Sequence, residues 1–122
     1  MTAHILTVDD SASIRMTTKI ALTNAGYQVT EAVDGQDGLT KATSGSYDLI
    51  VTDLNMPNMN GLAMIKALRQ SPAHTGIPII FLTTESDAEM KNQAKAAGAT
   101  GWITKPFDPD QLVKIARKVL GR

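Results

Sequence analysis

The chain has 122 residues, of which 12 are Lys or Arg and 12 are Asp or Glu, so its formal charge is 0. With 43 % hydrophobic residues it has material for one core, and with 0 cysteines it has none for disulfides, thiolate nucleophiles or Cys-based zinc sites. The charge balance speaks against a nucleic-acid binder resting on a basic surface, and no apolar run approaches membrane-spanning length; these bounds predict a soluble, cytoplasmic, single-domain protein.

In chain order, Ile5-Leu6-Thr7-Val8 is a short apolar run followed directly by Asp9-Asp10. Residues 13–25 read as a helix with Ile14, Ala21, Leu22 and Ala25 on one face, stopped by Gly26 as a left-handed cap. Tyr27-Gln28-Val29-Thr30 alternates, which suits an edge strand. A helix over 35–44 begins after Asp34 and ends before Gly45. Leu49-Ile50-Val51-Thr52 is fully apolar and runs into Asp53, and Asn60 opens a helix over 61–70 with Leu62, Ile65 and Leu68 on one stripe. Ile79-Ile80-Phe81-Leu82 leads to Thr83-Thr84. Ser86-Asp87-Ala88-Glu89 has a capping-box pattern and opens a helix over 87–97, which stops at Gly98. That helix has the poorest stripe of all: Ala88, Met90, Ala94 and Ala97. Trp102-Ile103-Thr104 ends in Lys105-Pro106. Asp108-Pro109-Asp110-Gln111 then supplies a cap and a proline at the first helical position, ahead of a stripe of Leu112, Val113, Ala116, Val119 and Leu120.

Five strand–helix alternations predict an α/β domain with a parallel sheet, right-handed crossovers and helices on both faces. The near-continuous apolar runs fit strands covered on both sides. In such folds ligands bind beyond the carboxyl ends of the strands. Asp9, Asp10, Asp53, Thr83 and Lys105 all stand at those ends. Neighbouring strands are roughly 4.8 Å apart, so carboxylates of adjacent strands can share one cation. Two unit charges at about 4 Å repel by roughly 4 kcal/mol at an effective dielectric near 20, so a cluster of three acids calls for a counter-charge. A hard divalent cation with oxygen ligands supplies it, and without His or Cys at these positions Mg²⁺ is expected rather than Zn²⁺. An Asp beside Mg²⁺, with a lysine and a hydroxyl close by, is equipped to accept a phosphoryl group.

These motifs resemble the receiver domain of bacterial two-component response regulators, nearest to single-domain chemotaxis regulators of the CheY type. The resemblance covers essentially the whole chain, 1–122. It rests on Val8-Asp9-Asp10-Ser11, on the stretch from Asp53 through Asn55 and Pro57 to Gly61, on Leu82-Thr83-Thr84, and on the stretch from Gly98 through Trp102 to Lys105-Pro106-Phe107. It implies a flavodoxin-like, doubly wound (βα)5 fold with strand order 2-1-3-4-5, no output domain, and a signalling receiver rather than an enzyme. It also implies that Asp53 is the phosphoacceptor, that Asp10 binds Mg²⁺ directly and Asp9 through water, and that the Asn55 carbonyl completes the metal's protein ligands. Thr83 and Lys105 would bind phosphoryl oxygens, and Lys105-Pro106 would be a cis peptide. The implied donor is a histidine kinase. The implied output is the face made by the fourth helix, fifth strand and fifth helix, with Lys91, Lys95 and Trp102, acting as a monomer on a protein such as the flagellar motor switch. Two positions depart from the family's pattern: Trp102 stands where Tyr or Phe is usual, and Thr84 where a small residue is usual. Asn55 and Glu85 match the chemotaxis type and imply a short-lived phosphoaspartate.

Blander readings exist for each residue. Asp9 and Asp10 are also good helix caps, and Asp-x-Asn-x-Pro is rich in turn formers. Met56 and Met59 are candidates for partner contact, whereas His4 and His74 have no acid or second His at ligand spacing. A Mg²⁺-dependent aspartyl phosphatase would need a second acid where Asn55 stands, and a flavin carrier would not put Asp-Asp in its phosphate loop. A phosphorelay shuttle or a phosphate sink would use the same catalytic residues.

Overall fold

The computed structural model describes residues 2–54, 56, 59–70, 76–83, 88–105 and 107–121, with the backbone alone at 88 and 90. Ten elements alternate: β1 (His4–Val8), α1 (Ala12–Asn24), β2 (Gln28–Ala32), α2 (Gly35–Ser44), β3 (Leu49–Asp53), α3 (Gly61–Arg69), β4 (Ile79–Thr83), α4 (Ala88–Ala96), β5 (Gly101–Thr104) and α5 (Pro109–Leu120). All strand pairings are parallel and the order is β2-β1-β3-β4-β5. Among the described residues no helix is long and apolar enough to cross a membrane.

Helix starts follow local chemistry. The side chains of Ser11, Asp34, Asn60 and Asp108 each accept a hydrogen bond from a first-turn N–H of α1, α2, α3 and α5, and Pro109 follows Asp108. These caps satisfy donors that have no partner within the helix. After α1 and α4 the chain turns at Gly26 and Gly98, with φ of 99° and 106°, a left-handed conformation open to glycine at no steric cost.

The strands divide their side chains between two layers. Leu6, Val8, Ile50, Ile79 and Phe81 face one side, where Ala42, Met64, Ile65, Leu68 and Ala94 bring in α2, α3 and α4. Ile5, Leu49, Val51, Ile80, Leu82 and Ile103 face the other, against Leu22 of α1 and Leu112 and Ala116 of α5. Every residue of β3 and β4 is buried, which is why their sequences show no polar alternation. The edge strands β2 and β5 are only partly covered.

On α1 the buried positions are Thr18 and Leu22, while Ile14, Ala21 and Ala25 are only partly covered and Met16 and Ile20 are exposed. Thr18 is tolerated inside because its hydroxyl donates to the Ile14 carbonyl at 2.8 Å. Met56 and Met59, read as partner-contact candidates, pack half-buried against the α2–α3 layer.

Candidate functional site

The carboxyl ends of β1, β3, β4 and β5 converge on a group of acids facing one lysine. Asp9 and Asp10 follow β1, and Asp53 ends β3, the neighbouring strand. One carboxylate oxygen from each of the three lies within 4.8 Å of the others. Asp9 is 4 % and Asp53 8 % exposed, whereas Asp10 is open to solvent. Lys105, just past β5, extends Nζ to 3.0 Å from Asp9 Oδ2 and 3.4 Å from Asp53 Oδ1. Thr83 ends β4 fully buried, one residue beyond Leu82, the register partner of Asp53.

Backbone hydrogen bonds hold this arrangement in place. The Leu54 N–H donates to Asp53 Oδ1 at 2.8 Å and the Ser11 N–H to Asp9 Oδ1 at 2.9 Å. The Lys105 N–H donates to the Thr83 carbonyl at 2.7 Å, prolonging the β4–β5 ladder up to the lysine. Behind Asp53 the chain turns so closely that a Cβ on Gly61 would lie 2.3 Å from the Asp53 carbonyl oxygen. A residue that sequence reading did not single out also belongs to this edge: Arg15 of α1 donates from Nη1 to the Asp9 carbonyl at 2.6 Å. Its one signal was its position, five residues after Asp10 on the helix that starts there.

The electrostatics match the crowding. Burial pushes the Asp53 carboxyl above its ordinary value; Lys105 pulls it back and Asp9 pushes it up further. Lys105 therefore offsets only part of the cost of burying Asp53 beside Asp9. The remaining demand for positive charge, and the all-oxygen donor set of Asp9, Asp10 and Asp53, fit a hard divalent cation. In that role Asp10 and Asp53 would hold the ion directly and Asp9 would support it.

Trp102 lies on the edge strand β5, away from the acids. Its ring is 6.0 Å from Phe81, and Lys91 Nζ stands 5.7 Å from the indole centroid. The indole N–H is buried without a hydrogen-bond partner among the described residues. Lys91, Lys95, Thr100 and Trp102 border a cavity of about 210 Å³ between α4 and β5. Lys91 and Lys95 are exposed. Asn55, Thr84, Glu85, His74, the Lys105-Pro106 peptide and the Ser86-Asp87 cap lie outside the described residues. At the amino-terminal end of β1 His4 is engaged by Thr30, 2.6 Å from its Nε2, and by the Tyr47 ring.

The sequence profile of the response regulator receiver domain matches residues 5–117. The chain belongs to that family. This receiver is 40 % identical over 119 residues to the response regulator ArlR of Staphylococcus aureus, covering 98 % of this chain and 53 % of that protein. It thus spans about half the length of the curated relatives it matches. Among solved structures, the chemotaxis protein CheY4 of Vibrio cholerae matches with a TM-score of 0.94 and 45 % identity, over 98 % of this chain and 100 % of that one. The receiver domain of the sensor histidine kinase PA1611 of Pseudomonas aeruginosa, with a magnesium ion coordinated in its active-site cleft, matches with a TM-score of 0.91 and 26 % identity over the whole of both chains. The receiver shares with these neighbours the flavodoxin-like order expected from its motifs.

Proposed function

We propose that this receiver is a phosphorylation-activated switch of a cytoplasmic two-component pathway, with Asp53 as the acceptor and a histidine kinase as the donor. The observation that carries the reading is the position of Lys105 Nζ, within 3.4 Å of Asp53 and 3.0 Å of Asp9, at the mouth of a three-acid cluster. In the transfer, the phosphorus–nitrogen bond of a phosphohistidine breaks as a bond forms between phosphorus and an Asp53 carboxylate oxygen. The imidazole leaves with the electron pair. Bound Mg²⁺ would neutralise charge on the transferring oxygens. Asp10, Asp53 and the Asn55 carbonyl would hold the ion, with Asp9 supporting it through water. Lys105 would exchange its contact with Asp53 for one with a phosphoryl oxygen, and the Thr83 hydroxyl would donate to another. Water attack on the phosphoaspartate returns Asp53 and phosphate, so the only reaction promoted is on the protein itself.

The responding side of the switch would be Trp102 with Lys91 and Lys95, together with Thr84 and Glu85, which follow Thr83 in the sequence. Phosphorylation would shift an existing equilibrium of this face and thereby change its affinity for a protein target. We take a flagellar motor switch as the first candidate target, because CheY4 is a chemotaxis protein.

Intact-protein mass spectrometry with acetyl phosphate tests the acceptor. A phosphoryl adduct that needs Mg²⁺ and is missing in Asp53→Asn is expected. An adduct that survives in Asp53→Asn would overturn the assignment. For the output, phosphorylated protein is expected to bind a motor-switch protein more tightly than the unmodified form. Equal binding would remove that target and favour a relay shuttle or phosphate sink.

A further inference from the structure

The strand end bearing Asp9 and Asp10 is held by a residue outside both the acid cluster and the lysine arm. Arg15 is half-buried on α1, and its Nη1 donates to the Asp9 carbonyl at 2.6 Å. That carbonyl and the Asp10 N–H are parts of one planar peptide group, so the bond fixes the plane from which Asp10 departs. Asp10 is exposed, and its direction is therefore set by the backbone more than by packing. The surrounding anchors hold other groups: the Asp9 N–H donates to the Ala32 carbonyl at 3.2 Å, and the Asp9 carboxylate is bound by the Ser11 N–H and Lys105. Arg15 is itself fixed to the turn, because its N–H donates to the Ser11 carbonyl at 3.0 Å.

We infer that Arg15 is a positioning residue for a divalent cation at this site: it holds the Asp9–Asp10 peptide so that the Asp10 carboxylate faces Asp53. The inference rests on the reading of the acid cluster as a cation site. Two effects of Arg15 on the cation have opposite signs. As a positive charge on the same sheet edge it repels the ion, so its removal would tighten binding. As the anchor of a ligand's peptide it orders the site, so its removal would weaken binding, as loss of hydrogen-bond partners behind metal ligands does by about tenfold or more. Salt screens the first effect and leaves the second. The sign of the change therefore identifies the role.

The test is Mn²⁺ binding, followed by electron paramagnetic resonance at about 0.5 M KCl, where the Debye length is only a few ångströms. Wild type, Asp10→Asn and Arg15→Met are compared under conditions where urea curves place all three fully in the folded state. We expect wild type to bind, Asp10→Asn to lose binding, and Arg15→Met to bind about tenfold more weakly. In the cation-free protein, the ¹⁵N resonance of the Asp10 amide is expected to shift in Arg15→Met, because the carbonyl of that peptide has lost its donor. Arg15→Gln, too short to reach the carbonyl, carries the same expectation if Arg15→Met does not fold. Unchanged or tighter binding in the Arg15 variant, with Asp10→Asn defective, overturns the positioning role and leaves the cation site standing. Absent binding in wild type, or undiminished binding in Asp10→Asn, overturns the cation-site reading and the positioning role with it.

Discussion

Asp53 is asked to be both buried and ionised, and the consequences can be measured on that one carboxylate. Its folded-state pKa is raised above 3.8, first by burial and then by Asp9, against the pull of Lys105. The folded chain therefore holds this proton more tightly than the unfolded chain does. Stability contributed by the group is lost as the pH rises from about 3.8 through the folded value, and the cost is complete above it. Asparagine has the same shape and no such cost. In cation-free buffer at pH 7, Asp53→Asn is expected to unfold at a higher urea concentration than wild type, and the gap should close as the pH falls below the ordinary carboxylate range. A variant no more stable than wild type at neutral pH would show that Lys105 already balances the charge. The acids and the lysine of this site were legible in the sequence because polar residues directly after fully apolar runs stand out. Arg15 was not, since a hydrogen bond to a main-chain carbonyl demands no particular sequence around it. Thr18 escaped for a related reason: its residue type suggested the surface, while its hydroxyl was satisfied within its own helix.

At the level of elements, α4 differs from its neighbours. Its Ala94 is buried, but Glu89, Lys91, Asn92, Gln93, Lys95 and Ala96 are all exposed. By contrast α5 sets Leu112 and Ala116 fully into the core and has both a capped start and a left-handed Gly121 at its end. A helix whose described side chains bury a single alanine opens at low free energy. Amide hydrogen exchange is therefore expected to be faster along α4 than along α5, β3 or β4, and to slow when the site is phosphorylated. Protection of α4 equal to that of β3 would remove the argument that this helix is free to respond. Its weak apolar stripe was readable beforehand, as were the caps at Asp34, Asn60 and Asp108 and the glycine at 26. The burial pattern of α1 was less so, because a helix packed on a sheet near an edge is covered by only part of its apolar face, and sequence periodicity does not say which part. Strand order likewise came from resemblance to a family. Periodicity establishes that strands are parallel and covered, but leaves their neighbours open.

For the whole molecule, the buried acids cost stability that a bound cation would return. A cation that binds only the folded chain stabilises it by about 2.7 kcal/mol at a hundredfold excess over its Kd. Urea unfolding with and without saturating Mg²⁺ should show a rise of that order in wild type and none in Asp10→Asn, whereas a Mg²⁺-independent midpoint in wild type would argue against ion binding at these acids. The position of Lys105 has one further consequence. Its main chain continues β5 at the sheet's edge, and its Nζ lies 3.4 Å from Asp53 at the end of β3, so the lysine and aspartate side chains meet across β4, which separates their strands by two spacings or about 9–10 Å. In mechanical terms it is a tie rod between the middle of the sheet and its rim. A change in pull on its tip would reach the end of the strand that carries Trp102 over no more than the length of one side chain.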